Sequence, residues 1–272
     1  MAFTYAVNCS ILFTELPLLD RAAAAAEAGF TAVEFWWPWA TATPSDAEVD
    51  EFCASIASAG VQLVGLNFFA GDMPGGDRGV LNLTERTEEF RASVTIAARI
   101  AERTGCRAFN ALYGNTPQGS DQAALDQVAT ENLLLACQSV DSFGGIVLIE
   151  PISGAPTYPL KTAAQVAAVV EAVQAAGSAN VALLYDCFHL AANGDDVFAA
   201  IDDYYELFGH VQVADNPGRG EPGTGSLDIE GILGELRARG WADYVALEYK
   251  PTTSTVESFG WLPADRRGAG QG

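Results

Sequence analysis

Apolar residues fall along this chain in eight short, near-continuous runs: "FTYAVNCSI" (3–11), "AVEFWW" (32–37), "VQLVGLNFF" (61–69), "RAFNALYG" (107–114), "GIVLIEPI" (145–152), "VALLYDCFH" (181–189), "HVQVAD" (210–215) and "YVALEYKP" (244–251). Continuous rather than alternating hydrophobicity is the mark of strands covered on both faces. Between the runs lie helical patterns: "LDRAAAAAEAG", "SDAEVDEFCASIASAG", "TERTEEFRASVTIAARIAERTG", "SDQAALDQVATENLLLACQSVDSFG", "KTAAQVAAVVEAVQAAG", "DDVFAAIDDYYELFG" and "LDIEGILGELRARG". Ser45 and Thr84 are placed as N-terminal caps, and Gly29, Gly60 and Gly105 as C-terminal stops. Strand and helix thus alternate with a period of about 30 residues, the size of a βαβ unit. Eight such units predict an α/β fold, a (β/α)8 TIM barrel forming a single domain over 1–262. A doubly wound open sheet is the alternative, but it usually carries a Gly-rich turn after its first strand, and "VNCSILFTE" has none. The last stretch, "PADRRGAGQG" (263–272), has no apolar period and reads as a disordered tail.

In such a barrel the chemistry sits at the C-terminal ends of the strands. Four successive runs end on, or near, a polar residue: Glu150 in "VLIEP", Asp186 in "LLYD", Gln212 in "HVQVAD" and Glu248 in "VALEYKP". The gaps between them are 36, 26 and 36 residues, each about one barrel unit. A lone Glu at a strand end is more often a helix cap or an ion-pair partner; four polar ends at matching places are harder to explain that way. Three carboxylates converging on one point cannot all stay ionised unaided. A divalent cation relieves that, and a set of oxygen donors suits a hard ion such as Mg2+ or Mn2+. Gln212 poses its own question, because an amide inside an apolar strand is costly unless both its oxygen and its nitrogen are satisfied.

Other polar residues fall near these ends. His189 follows Asp186 by three and could bond a substrate oxygen, although a lone His is more often structural. His210 reads as a core residue or a support for the site. The loop "DNPGRGEPGTG" (215–225) holds Arg219 and Glu221; it is either an ordinary turn or an anion-binding loop with Arg219 as a planar fork for a carboxylate. Lys250 shares a strand face with Glu248, and Asn67 opens the Gly-rich loop "NFFAGDMPGGDRG". Glu34 is a candidate buried acid. Trp36, Trp37 and Trp39 could be core, wall or lid. The candidate substrate-binding residues are therefore His189, Arg219, Lys250, Asn67 and Glu221.

Composition narrows the function classes. With 35 acidic against 14 basic residues the net charge is −21, which disfavours nucleic acid and anionic lipid as partners. No apolar stretch approaches the roughly 20 residues that span a membrane. Five scattered cysteines form no C-x-x-C pair, and the N-terminal residues lack a basic region followed by a long apolar run, so a reducing, cytoplasmic setting is expected.

Taken together, "VNCSILFTELPLLDRAAAAAEAGFTAVEFWWPW", "LNFFAGDMPGGDRG", "LIEP", "YDCFH", "HVQVADNPGRGEPGTG" and "LEYKP" resemble the hydroxypyruvate isomerase family of xylose-isomerase-like barrels, over residues 5–262. The resemblance implies that Glu150, Asp186, Gln212 and Glu248 bind one divalent metal and that Glu150 and Glu248 form the acid/base pair. It implies interconversion of hydroxypyruvate and tartronate semialdehyde through a cis-enediol, with a small anionic 2-oxo acid as partner. Arg219 and Lys250 are then the available counter-charges for the substrate. Ketose epimerase relatives carry His where Gln212 stands, which sets this chain nearer the isomerase branch. Ser226, where an acid is common, and Asn110, where some relatives have His, depart from the pattern and leave open a longer 2-oxo sugar acid or a ketose as substrate. Oligomeric state, a homo-oligomer included, stays open. A multi-zinc DNA-repair nuclease on the same scaffold is set aside, because the chain has only two His.

Overall fold

The computed structural model describes residues 3–268, and in it each of the eight apolar runs supplies a strand of one closed barrel. The strands are β1 Tyr5–Asn8, β2 Ala32–Phe35, β3 Gln62–Asn67, β4 Ala108–Asn110, β5 Ile146–Ile149, β6 Val181–Asp186, β7 Phe208–Val213 and β8 Val245–Leu247. Neighbours in sequence pair in parallel and β1 closes on β8, with Val7 opposite Leu247. The helices between and after them are α1 Arg21–Glu27, α2 Asp46–Ala59, α3 Thr87–Thr104, α4 Gln122–Asp141, α5 Ala163–Ala175, α6 Cys187–Ala192, α7 Val197–Tyr204, α8 Ile229–Ala238 and α9 Thr255–Ser258.

Local chemistry explains the boundaries. Ser45 and Glu48 form a reciprocal capping box at the start of α2, and Gly60 ends it in the left-handed region at φ 68°. The run 181–189 reads as one strand by hydrophobicity, yet α6 begins at Cys187. Asp186 breaks the run: its Oδ1 accepts from the amides of Phe188 (2.8 Å) and His189 (3.2 Å) and so caps a helix. His189 therefore rides on a helix turn directly above the barrel.

The main apolar core lies between the strands and the helices, and Val33, Leu66, Phe109, Ile149, Leu183 and Val211 all belong to it. Inside the barrel the apolar filling is small: Ala6, Ala32, Val64 and Ala246 form one cluster, and Ala108, Leu148, Ala182 and Leu184 another. Five of these eight are alanines, which leaves room for buried polar groups among them, and the polar residues at the strand ends occupy that room.

The segment from residue 263 differs from the expected disordered tail as far as Gly268. Ala264–Arg266 form a 3-10 turn. Arg267 donates to the carbonyls of Leu262, Ala28 and Phe259 at 3.0, 3.0 and 3.1 Å. Its guanidinium also lies over the rings of Phe30 and Phe259. Composition missed this because one arginine, not an apolar stripe, does the anchoring. The end of that tail, 269–272, lies outside the described residues.

Candidate active site

Glu150 follows β5 directly, and its backbone is fixed from the side: its carbonyl accepts from the Tyr158 hydroxyl at 3.0 Å, which in turn accepts from the Tyr113 amide at 3.0 Å. Its Oε2 accepts from Asn110 Nδ2 at 2.6 Å, so Asn110 holds one edge of the carboxylate. Glu248 follows β8, and its Oε1 accepts from Trp36 Nε1 at 3.2 Å and from Arg219 Nη2 at 2.5 Å. Asp186 spends Oδ1 on capping α6, and its Oδ2 is buried without a hydrogen-bond donor. One atom each of Glu150, Asp186 and His189 lie within 4.8 Å of one another.

Gln212 sits beside Asp186 across the β6–β7 ladder. Its Nε2 donates to Glu34 Oε1 at 2.7 Å, while its Oε1 is buried with no donor in reach. Glu34 is the reason the amide points this way. The same carboxylate accepts from Asn8 Nδ2 at 2.9 Å and pairs with His210 Nε2 at 2.7 Å. Glu34 and His210 thus form a floor that orients Gln212 and leave its oxygen as a spare acceptor.

His189 is held in one tautomer. The Ser153 amide donates to its Nδ1 at 3.0 Å, and the Ser153 hydroxyl stands 2.7 Å from the same nitrogen. A backbone N–H can only donate, so Nδ1 is the unprotonated nitrogen and Nε2 carries the hydrogen. That Nε2–H lies 3.7 Å from Asp186 Oδ2 and 3.8 Å from Glu150 Oε1. Although His189 belongs to the metal-sized cluster, its free nitrogen is a donor and not a lone pair for an ion. Burial first, then nearby Arg219, hold its pKa well below the usual histidine range, so the ring is neutral.

Arg219 occupies the left-handed region at φ 59°, a strained place for a side-chain-bearing residue and one found at functional loops. Its Nη2 pairs with Glu248 and stands 3.6 Å from Asp186 Oδ2, its Nε donates to the Glu248 carbonyl at 3.3 Å, and its plane lies 5.2 Å from the Phe188 ring centroid. The guanidinium is thereby committed to the acids of the site. Those acids still take up protons readily. Burial, with Glu248 and Asp186 adding repulsion, raises Glu150 well above the usual carboxylate range. Burial raises Asp186 to about 6 against the pull of Arg219, and raises Glu248 to about 8 although Arg219 opposes it.

Three buried carboxylates and one guanidinium leave the cluster two charges short of neutral when all are ionised. A divalent cation would close that deficit. The two spare buried oxygens, Asp186 Oδ2 and Gln212 Oε1, are the acceptors such an ion satisfies. Glu150, Asp186, Gln212 and Glu248 are therefore the residues that could hold it, with Glu248 turned toward Arg219 and Trp36.

The site opens into a cavity of about 790 Å³ whose lining includes Glu150, His189, Arg219, Glu248, Asn67 and Lys250. Lys250 is exposed at the rim. Glu221 is not brought to the site: its two oxygens are taken by the amide and hydroxyl of Thr252, at 3.0 and 2.6 Å. Its carboxylate braces the loop 215–225 against the segment after β8. Ser226 likewise bonds within that loop, to the Asn216 carbonyl. Of the three tryptophans only Trp36 touches a site carboxylate; Trp37 donates to the Thr41 carbonyl and packs edge-on against Trp39. Ser153 and Arg78 line the cavity as well. Nothing in the local pattern distinguishes Ser153, whereas Arg78 is the one cation in the Gly-rich loop that Asn67 opens.

Comparison with known proteins agrees with this architecture. The fold and its carboxylate-lined mouth place the chain among the xylose isomerase-like TIM barrels, whose family model matches residues 22–264. A Streptomyces coelicolor protein carrying a provisional hydroxypyruvate isomerase name is 51% identical over 97% of this chain and 96% of its own length. The Escherichia coli hydroxypyruvate isomerase is 32% identical over 95% and 97%. Within the barrel class, the chain belongs to the hydroxypyruvate isomerase family. A Brucella melitensis structure described as an AP endonuclease of family 2 superposes with a TM-score of 0.86 at 31% identity, covering 96% of this chain and 98% of that one.

Proposed function

We propose that this protein interconverts hydroxypyruvate and tartronate semialdehyde through a cis-enediol, using Glu150 and Glu248 as acid and base. The observation that carries the reading is the pair of buried, donor-less oxygens on Asp186 and Gln212 beside two buried glutamates of raised pKa. A Mg2+ or Mn2+ ion held by Glu150, Asp186, Gln212 and Glu248 would supply Lewis-acid polarisation of the substrate's carbonyl and hydroxyl oxygens. One glutamate removes a proton from C3 of hydroxypyruvate, and the same or the facing one returns a proton to C2, while a hydroxyl proton passes from O3 to O2. Each glutamate lies buried at a strand end facing the mouth, where an ionised carboxylate can take the substrate's proton and hand it back. His189 offers a fixed Nε2–H to a substrate oxygen without gaining charge. Trp36 and Arg219 hold Glu248 in place.

A longer substrate on the same scaffold, such as a 2-oxo-tetronate or a ketose in a 3-epimerase reaction, is the second reading. The chain is as similar to a relative named for such a substrate as to the Escherichia coli hydroxypyruvate isomerase, 32% in each case. Haemophilus influenzae 2-oxo-tetronate isomerase is 32% identical over 95% of this chain and 97% of its own length. We place the protein in the cytoplasm, which its five free, buried cysteines support. No helix among the described residues is long and apolar enough to cross a membrane.

The test is metal analysis together with isomerisation assays on the wild type and Glu248→Gln. Chelation should abolish turnover, Mn2+ should restore it, and the substitution should lower kcat by about 10²- to 10⁴-fold. Activity that survives both treatments refutes the mechanism.

A further inference from the structure

We infer that Arg78, and not Arg219, reads the carboxylate of the substrate. The inference rests on the reading of the protein as a 2-oxo acid isomerase and assigns the residue that makes it selective for an acid. Arg219 cannot take a substrate carboxylate side-on without giving up Glu248 and Asp186, both buried. Abandoning them would leave two carboxylates without their counter-charge in a dry site. Once a divalent cation balances the cluster, an anionic substrate needs a further positive group.

Arg78 has the attributes for that role. It lines the same cavity as Glu150, His189 and Asn67. Its Nη1 donates to the carbonyls of Met73 (3.0 Å) and Asp77 (2.6 Å), which immobilises the side chain. Its Nε and Nη2 make no hydrogen bond among the described residues, and no acid there lies within 4.0 Å of the guanidinium. The Nε–Nη2 edge is thus free to grip a carboxylate with two parallel bonds. The neighbouring acid does not compete: Asp77 Oδ2 accepts from Arg86 Nη1 at 2.6 Å and from the Asp72 amide at 2.8 Å. The backbone that presents Arg78 is also fixed. The Arg78 carbonyl accepts from the Gly114 amide at 3.0 Å, and Gly79, at φ 103°, lies against the Leu112 carbonyl so closely that a Cβ would stand 1.9 Å from it. Lys250, the other cation lining the cavity without an acid partner, is exposed and offers a point charge rather than a fork.

The experiment compares wild type, Arg78→Met, Arg78→Lys and Arg219→Met on hydroxypyruvate and on dihydroxyacetone, which replaces the carboxylate by a neutral hydroxymethyl group. The ratio of kcat/KM for the acid over the neutral ketose should fall about 10- to 100-fold in Arg78→Met, the usual worth of a hydrogen-bonded charge pair, and less in Arg78→Lys. Arg219→Met should lower both substrates together and leave the ratio near its wild-type value. A ratio unchanged in Arg78→Met, or one that collapses in Arg219→Met instead, overturns the assignment. If the wild type turns over neither compound, the isomerase reading fails separately, and calorimetric binding of glycerate decides. Binding at least tenfold weaker in Arg78→Met upholds the carboxylate site; equal binding in the two proteins, or none to the wild type, overturns it.

Discussion

Raising the pH in the presence of a chelator should destabilise this protein, and a divalent cation should reverse the trend. Glu248 is a buried carboxyl whose pKa is raised from 4.5 to about 8, with burial the largest cause. A group raised on folding binds its proton more tightly in the folded state. Its stabilisation is complete below the unfolded value near 4.5 and is lost as pH climbs through 8. The loss for one such carboxyl is on the order of 5 kcal/mol, shared in practice with Glu150 and Asp186, which are raised for the same reason. That is a large fraction of the roughly 5–15 kcal/mol that holds a domain together. A cation that needs the ionised acids binds better as pH rises, and at a hundredfold excess over its Kd it restores about 2.7 kcal/mol. The assay is denaturant unfolding followed by circular dichroism from pH 5 to 9, with EDTA or with Mn2+. The midpoint should fall with pH in EDTA and hold or rise in Mn2+. A flat EDTA profile would refute the buried acid cluster, and a cation without effect at pH 8 would refute the metal site.

Three further outcomes follow from particular contacts. Replacing Glu34 by Leu strands donors on Asn8, Gln212 and His210, so unfolding free energy should drop by several kcal/mol, at about 1–3 for each orphaned group; a loss under 1 kcal/mol by urea titration would mean Glu34 does not organise the floor. In ¹⁵N NMR, His189 should show a protonated Nε2 and a bare Nδ1, in wild type and in Ser153→Ala, since the backbone donor remains; the opposite tautomer would contradict the donor role. Gly79→Ala should lower the melting temperature and weaken hydroxypyruvate binding together, because a Cβ meets the Leu112 carbonyl and the loop bearing Arg78 must shift; unaltered KM in a folded variant would uncouple the loop from the site.

The sequence by itself determined the barrel and the place of its acids. Eight doubly covered strands read as continuous apolar runs because burial on both faces removes the polar alternation, and the chain has few other ways to cover them. Glu150, Asp186 and Glu248 were legible as the polar residues that stop those runs, and their convergence then followed from the fold class. Tertiary structure alone decided what each side chain touches. Glu34 lies 178 positions before Gln212, yet fixes its amide. Ser153 sets the tautomer of His189, Thr252 draws Glu221 away from the cavity, and Arg267 ties down what composition presents as a loose end. These are isolated polar contacts between residues far apart in the chain. They leave no period in the sequence, because periodicity records which face of an element is buried and says nothing about which partner meets it there.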